Sequence, residues 1–229
     1  MRNMFNMAVK WGKAQKNPVS EVKLFKEPEG KDRILSPEEE ARFFDAIQSH
    51  KQAGHLEPVI IMALATGMRR SELLNLKWPN VDFGSRVITV EGTKNGNIRK
   101  IPMNSRLTEV LSNAKKVSQG EYVFPNKKGV PYKNLRISLN HALKAANIEG
   151  VTLHSLHHTF GSRLGMMGTD LGTIQELMGH AYLKMTKRYY HPTVAHKREA
   201  VEMLSQVTTT FTTDSKMEKS QEVVRIDKR

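Results

Sequence analysis

Between Val81 and Met103 the hydrophobic period of this chain falls to two, whereas most of the remainder places its apolar residues at helical spacing. Val87-Ile88-Thr89-Val90 and Ile98-Arg99-Lys100-Ile101-Pro102 read as short strands around Thr93-Lys94-Asn95-Gly96-Asn97. The Asn-Gly pair there supplies the positive φ that a tight hairpin turn requires. Val81-Asp82-Phe83 adds a third strand, and Tyr122-Val123-Phe124 reads as a further short one. The expected class is mainly α with a small antiparallel β-sheet (α+β).

The helical segments have legible ends. Residues 1 to about 17 form one amphipathic helix, with Met4, Phe5, Ala8 and Trp11 at helical spacing, Gly12 close to its end and Asn17-Pro18-Val19 as its break. Residues 20–34, rich in Lys, Glu, Pro and Gly, read as a linker. Ser36-Pro37-Glu38-Glu39 combines an N-cap, a proline at the first helical position and a capping-box glutamate, and opens a helix that runs to about His50. A helix from Leu56 ends at Gly67; Ser71 is expected to cap the next, Glu72 to Leu76. Further helices are expected from Ser105 and near 133–146, 153–167, 170–178 and 193–206. Residues 207–229 carry few large apolar groups and read as a polar tail.

Composition narrows the chemistry. With no cysteine, disulfide staples, thiol catalysis and cysteine-held metals are excluded. The net charge is +13, and the segment from His191 onward is nearly neutral, so the excess lies before it and favours a polyanionic partner. No apolar run approaches the ~20 residues that span a bilayer. Without a signal-peptide core at the N-terminus, a cytoplasmic location with no membrane partner is expected.

Chemistry-bearing residues concentrate between His154 and His191. His154, His157 and His158 are spaced i, i+3 and i+4, beside the apolar stripe Leu153, Leu156, Phe160 and Leu164 of one helix, which places the histidines at the rim of a core. Leu177-Met178-Gly179-His180 and Arg188-Tyr189-Tyr190-His191 follow. These stretches resemble the C-terminal signature of the tyrosine recombinases, the phage-integrase family: H-x-x-R-H, then L-G-H, then a tyrosine nine residues on. His154-Ser155-Leu156-His157-His158 fits the first element, with His157 where the family has arginine. His180 fits the second, and Tyr189 falls nine residues past it. Ala65-Thr66-Gly67-Met68-Arg69-Arg70-Ser71-Glu72-Leu73 is similar to the family's first arginine box and maps its arginine to Arg69. Lys94, at the hairpin tip, matches the family's β-turn lysine.

The resemblance implies a tyrosine-recombinase catalytic domain over residues 31–206, preceded in 1–30 by the end of an N-terminal core-binding domain and a linker, with the rest of that domain absent. It implies a site-specific recombinase or integrase that cleaves and rejoins double-stranded DNA through a 3′-phosphotyrosyl intermediate, with no metal, nucleotide or other cofactor, working as a homo-oligomer of synapsed protomers, a tetramer, on DNA. By residue, Tyr189 is the nucleophile, Lys94 protonates the leaving oxygen, and Arg69 and His180 hold the non-bridging oxygens. His154 assists proton transfer, and His157 stands at the second arginine's place with reduced activity as the consequence. Lys77 and Lys100 are weaker substitutes for Lys94. Glu72 supports the Arg69 corner, His158 holds the helix by bonding a backbone carbonyl, and Tyr190 packs. Partial protonation of His157 near neutrality makes cleavage faster at lower pH. Three alternatives remain open: a catalytically weakened DNA-binding relative, a type IB topoisomerase-like strand transferase, and a metal-dependent hydrolase built on the histidine cluster.

Overall fold

The computed structural model describes residues 1–22, 33–49, 54–91, 98–190 and 193–205. Two compact units divide the chain, Met1–Asp32 and Arg33–Arg229. In the first, the amphipathic helix is shorter than its periodicity implied. Helix α1 spans Arg2–Lys10 and is followed by Gly12 at φ 68. The chain then folds back on the helix. Arg2 donates to the carbonyls of Val19 and Ser20 at 3.2 and 2.9 Å, and Asn17 donates to the carbonyl of Arg2 at 3.0 Å. Asn17 therefore closes a turn instead of merely ending a helix. Met4 and Met7 on α1 and Trp11 at its C-cap stay exposed.

The second unit is built around α3, Leu56–Thr66. Val59, Ile60, Met62 and Ala63 are almost fully buried, because this helix is apolar on nearly every side. Such a helix is stable only when neighbours cover it all round. Helices α2 (Pro37–Ser49), α5 (Ser105–Val117) and α7 (Leu153–Met166) do so, and α6 (Arg136–Ala145) packs on α2. Phe43, Ile47, Leu107, Leu111 and Leu156 complete the core. Each such side chain contributes roughly 1.5–3 kcal/mol by leaving water.

Ser36 opens α2 as expected: its Oγ accepts from Glu39 N, and Glu39 Oε2 accepts from Ser36 N at 3.0 Å. Gly67 ends α3 in the left-handed conformation at φ 59, where any Cβ would overlap the Phe160 ring. The following helix, α4, covers Arg70–Leu74 with Arg69, not Ser71, at the N-cap. The reason is Glu72, whose carboxylate accepts from Arg69 N at 2.8 Å and fixes the start two residues earlier than a serine cap would.

The sheet is antiparallel in the order β1 (Val81–Asp82), β2 (Val87–Val90), β3 (Arg99–Pro102). Ile88 faces Ile101, and Val90 faces Arg99. The period-two alternation thus turns Ile88, Val90, Ile101 and also Arg99 inward. The strand expected at Tyr122–Phe124 is reduced to an isolated antiparallel bridge between Lys77 and Tyr122, made by Val123 N on the carbonyl of Leu76 and Trp78 N on the carbonyl of Glu121, each at 2.9 Å. Helix α8 (Leu171–Met178) packs on α7 and ends at Gly179, φ 63; α9 (Leu183–Thr186) and a 3-10 turn, Lys187–Tyr189, return the chain to α7. Residues 194–205 are helical. Among the described residues no helix is long and apolar enough to cross a membrane.

Candidate active site

Helix α7 carries the histidines, and it is better covered than an amphipathic surface helix. Thr152 caps it, accepting from Ser155 N at 3.2 Å while Ser155 Oγ accepts from Thr152 N at 3.0 Å. With α3 on one side and α8 and the 3-10 turn on another, His157 and His158 are 3% and 7% exposed, so they lie inside the packing and not at its rim. His154, in the first turn, remains exposed.

A backbone bond of the kind expected of His158 is made by its neighbour His157. His157 donates Nδ1–H to the carbonyl of Gly67, which has no hydrogen to give, and so ties α7 to the corner between α3 and α4. His158 Nδ1 instead meets the hydroxyl of Tyr189. The i, i+1 step rotates the two rings apart by about 100°, one toward each neighbour. His154 lies edge-on to His158 with ring centres 4.3 Å apart, and 5.6 Å from His157.

Burial is the main cause that pushes the His157 imidazole down to about 3, with the bond to Gly67 opposing and Arg69, His180 and His154 adding to the fall. At pH 6–8 the ring is therefore neutral in the DNA-free protein, and the acceleration at low pH expected from charging it does not follow. His180, 8% exposed, contacts Thr186 Oγ1 through Nδ1 at 2.9 Å and is pushed down to about 4 by burial first, then by Arg69, His158, Arg99 and Arg188.

Tyr189, in the 3-10 turn, is 4% exposed, while Tyr190 is only half-buried. The packed tyrosine is thus the one expected to react. Its ring stacks on His180 at 5.9 Å with 16° between planes. Two glycines of α7 make room: at Gly165 a Cβ would strike the Tyr189 carbonyl, and at Gly161 it would approach Met178 Sδ at 2.5 Å and Tyr189 Cγ at 3.1 Å.

Arg69 enters from the α3–α4 corner. Its Nη2 donates to the carbonyl of Gly179 at 2.8 Å and its Nη1 to Glu72 Oε1 at 3.3 Å. Glu72 does support this corner, and it also receives Arg99, whose Nη1 and Nη2 reach Oε1 and Oε2 at 3.0 and 2.7 Å. Burial alone would raise the Glu72 carboxyl; the Arg99 bonds, the Arg69 N–H and both guanidinium charges outweigh it and hold the group below the usual carboxylate range. From the sequence, Arg99 is expected only as a residue of a strand. Its signal was there, since it shares its face with Ile101.

Lys94 lies outside the described residues, as do His191 and the tail beyond 205. Of its substitutes, Lys77 is held by Glu121 at 2.8 Å, and Lys100 is exposed on the outer face of β3. Among the described residues no group of three or more His, Asp or Glu is arranged to hold a metal ion.

This combination of a helical domain, a three-stranded sheet at its edge and an Arg–His–Tyr cluster defines a tyrosine-recombinase catalytic domain. Residues 33–196 match the model of the phage integrase family, and the chain belongs to that family. Tyrosine recombinase XerA of Pyrococcus furiosus is 33% identical over 182 residues, covering 76% of this chain and 63% of that protein. Tyrosine recombinase XerC of Pediococcus pentosaceus is 30% identical over 215 residues, 87% of this chain and 71% of that protein. Among solved structures, the Tn1549 transposon integrase in complex with a circular intermediate DNA is similar with a TM-score of 0.74 and 26% identity, over 89% of this chain and 76% of that one.

Proposed function

We propose that the chain is a site-specific recombinase or integrase that cleaves and rejoins double-stranded DNA through a 3′-phosphotyrosyl link, without metal or ATP. The observation that carries this is the contact of the Tyr189 hydroxyl with His158, its ring against His180, on the helix that His157 ties to the Arg69 corner. In the reaction the Tyr189 oxygen bonds to phosphorus as the bond to the 5′ oxygen breaks. The phenolic proton passes to His158 Nδ1, assisted from the exposed rim by His154; the leaving oxygen takes its proton from Lys94. Arg69, with donors left over beyond Glu72 and Gly179, and His180 hold the non-bridging oxygens. Attack by a 5′-hydroxyl of another strand reverses the step and conserves the bond energy, so no nucleotide is consumed.

Residues 1–30 form the end of a core-binding domain and linker, 31–206 the catalytic domain and 207–229 a tail; the protein acts in the cytoplasm. Protomers assemble on DNA as a tetramer, with Val201, Met203 and Leu204, all exposed, as apolar anchors for a neighbour. A second reading, a DNA-binding relative with weakened catalysis, is favoured by the neutral, carbonyl-bound His157.

Incubation with nicked duplexes carrying candidate attachment sites tests the proposal. A covalent protein–DNA adduct that resists denaturant and is lost in Tyr189→Phe is expected. Binding without adduct on every duplex would support the weakened relative, and relaxation of any supercoiled plasmid would point to a topoisomerase.

A further inference from the structure

Arg99 is 7% exposed, an unusual position for a guanidinium. The register of the sheet puts it there: it lies opposite Val90 and on the same face as Ile101, so its side chain runs into the interior from the first residue of β3. Three observations distinguish it from an ordinary buried ion pair. Its fork grips both oxygens of Glu72, the same carboxylate that accepts from Arg69 N and Nη1. It also lies directly beneath the Gly179 turn: a Cβ on Gly179 would overlap Arg99 Nη1 and come within 3.1 Å of its Cδ. And its Nε, buried, has no hydrogen-bond partner among the described residues, a cost that packing alone does not explain.

Glu72 by itself cannot hold Arg69 in one place. A carboxylate on a flexible side chain can rotate about its terminal bonds, and the Arg69 contact at 3.3 Å is the long one. With both oxygens clamped from the other side by a planar fork, the carboxylate plane is fixed, and with it the direction from which Arg69 approaches. The second anchor of Arg69 is the Gly179 carbonyl, and Arg99 packs against that residue too. His180 follows immediately in the chain. Arg99 thus touches both supports of Arg69 and the turn that presents His180. The cation count agrees. Two guanidiniums share one carboxylate, which leaves a net positive charge at the turn, and Arg99 is among the groups that hold the His180 imidazole down.

We propose that Arg99 is a positioning residue of the strand-cleavage site, fixing Arg69 through the shared Glu72 carboxylate and setting the Gly179–His180 turn against which the scissile phosphate is held. The proposal rests on the recombinase reading above. Arg99 itself does not touch the DNA; its effect reaches the phosphate through Arg69 and His180.

The test compares Arg99→Lys with the unsubstituted full chain in single-turnover cleavage of a nicked duplex, on an ordinary scissile phosphate and on a neutral methylphosphonate at the same position. Lysine keeps the charge but cannot clamp both oxygens. Because Arg69 acts on the charge of a non-bridging oxygen, misplacing it matters only when that charge is present. The expected result is a fall of roughly 30-fold or more on the phosphate, a difference under about threefold on the methylphosphonate and unchanged duplex affinity. In the DNA-free protein, the His180 imidazole followed by NMR should titrate at a different pH in Arg99→Lys and shift upward in Arg99→Gln, which removes the cation. If Arg99→Lys does not fold, the paired change Arg99→Gln with Glu72→Gln, which removes both charges together, takes its place and should show the same substrate-selective loss. Equal losses on both substrates would mean a structural role only and overturn the proposal, as would a wild-type rate in Arg99→Lys. Absence of adduct from the unsubstituted chain would overturn the recombinase reading itself, a result visible before any variant is compared.

Discussion

The hydroxyl of Tyr189 is hydrogen-bonded to Nδ1 of His158, so the candidate nucleophile and the nearest base are already in contact in the DNA-free chain. Tyr189→Phe removes that one oxygen and little volume. It is expected to abolish the covalent DNA adduct, leave duplex affinity nearly unchanged, and cost about 0.5–1.5 kcal/mol in urea unfolding for the lost bond. Tyr190→Phe, at a half-buried neighbour, should do none of these. Loss of the adduct in Tyr190→Phe alone, read on denaturing gels, would reassign the nucleophile.

The seat of Tyr189 depends on glycine. At Gly165 an added methyl meets the Tyr189 carbonyl, a backbone atom that cannot step aside, whereas at Gly161 it first meets the end of the Met178 side chain. Gly165→Ala should therefore lower adduct formation by at least tenfold and destabilise the fold by about 1–3 kcal/mol, and Gly161→Ala should do less of both. Cleavage and thermal unfolding of the two variants side by side give the comparison; equal effects would mean that Tyr189 is not seated as described.

Much of this site was legible in the sequence because its spacing rules are local. The i, i+3, i+4 histidines, the Gly67 stop and the period-two strands that pair as β2 and β3 each follow from backbone geometry over a few residues, while the Asn-Gly turn expected between those strands lies outside the described residues. What was not legible depends on partners distant in the chain. That His157 takes a carbonyl is decided by the side on which the end of α3 lies, at Gly67, 90 residues away. Ser71 suits a cap by its chemistry, but the cap is Arg69, whose N–H is taken by Glu72, a carboxylate that Arg99 of β3 also holds. The face marked by Met4, Phe5, Ala8 and Trp11 does not fix where α1 ends; it stops at Lys10, just before Gly12 at φ 68, and Asn17 belongs to the returning segment that bonds Arg2.

Stability should fall on mild acidification. His157 titrates at about 3 in the folded chain against an ordinary 6.5, so between these values the unfolded chain binds a proton that the folded chain refuses. Its contribution is fully present above about pH 6.5 and is lost as pH falls, at ~1.4 kcal/mol per unit, or about 2 kcal/mol by pH 5. His180, held down to about 4, acts in the same direction. Urea unfolding at pH 7, 6 and 5 measures the slope. In His157→Gln, which keeps a donor for Gly67 but cannot titrate, the slope should flatten; an unchanged slope would mean that His157 is not the buried, neutral group described.

Duplex binding should weaken steeply with salt. The chain carries +13, almost all of it before His191, and each phosphate neutralised releases condensed counterions. Between 50 and 200 mM salt, affinity is expected to drop by about 10³-fold if six or so phosphates are contacted. Fluorescence anisotropy with a labelled duplex at four salt concentrations gives the slope. A flat dependence would be incompatible with a phosphate-gripping surface.

The last expectation concerns the position at which this chain departs from the family's pattern. An arginine there is always charged and offers a fork of donors; His157 is neutral across pH 6–8, with its one N–H spent on the Gly67 carbonyl. A ring in that state has no hydrogen left to donate to a developing oxyanion, and the missing donor is worth roughly 10²–10³ in rate. His157→Arg can satisfy the Gly67 carbonyl with one arm and still present another to the phosphate. It should raise phosphotyrosine formation on a nicked suicide duplex by about 10²-fold, by the same factor at pH 6 and pH 8, because neither side chain changes charge in that range. The larger group enters a site that is only 3% exposed, so overpacking should cost about 1–3 kcal/mol of stability, and the rate is best measured well below the unfolding temperature. DNA affinity should change little, since one contact among many phosphates is gained. A folded His157→Arg that cleaves no faster at any pH from 6 to 8 would mean that this side chain does not face the scissile phosphate, and the mapping of α7 onto the catalytic helix would fail with it.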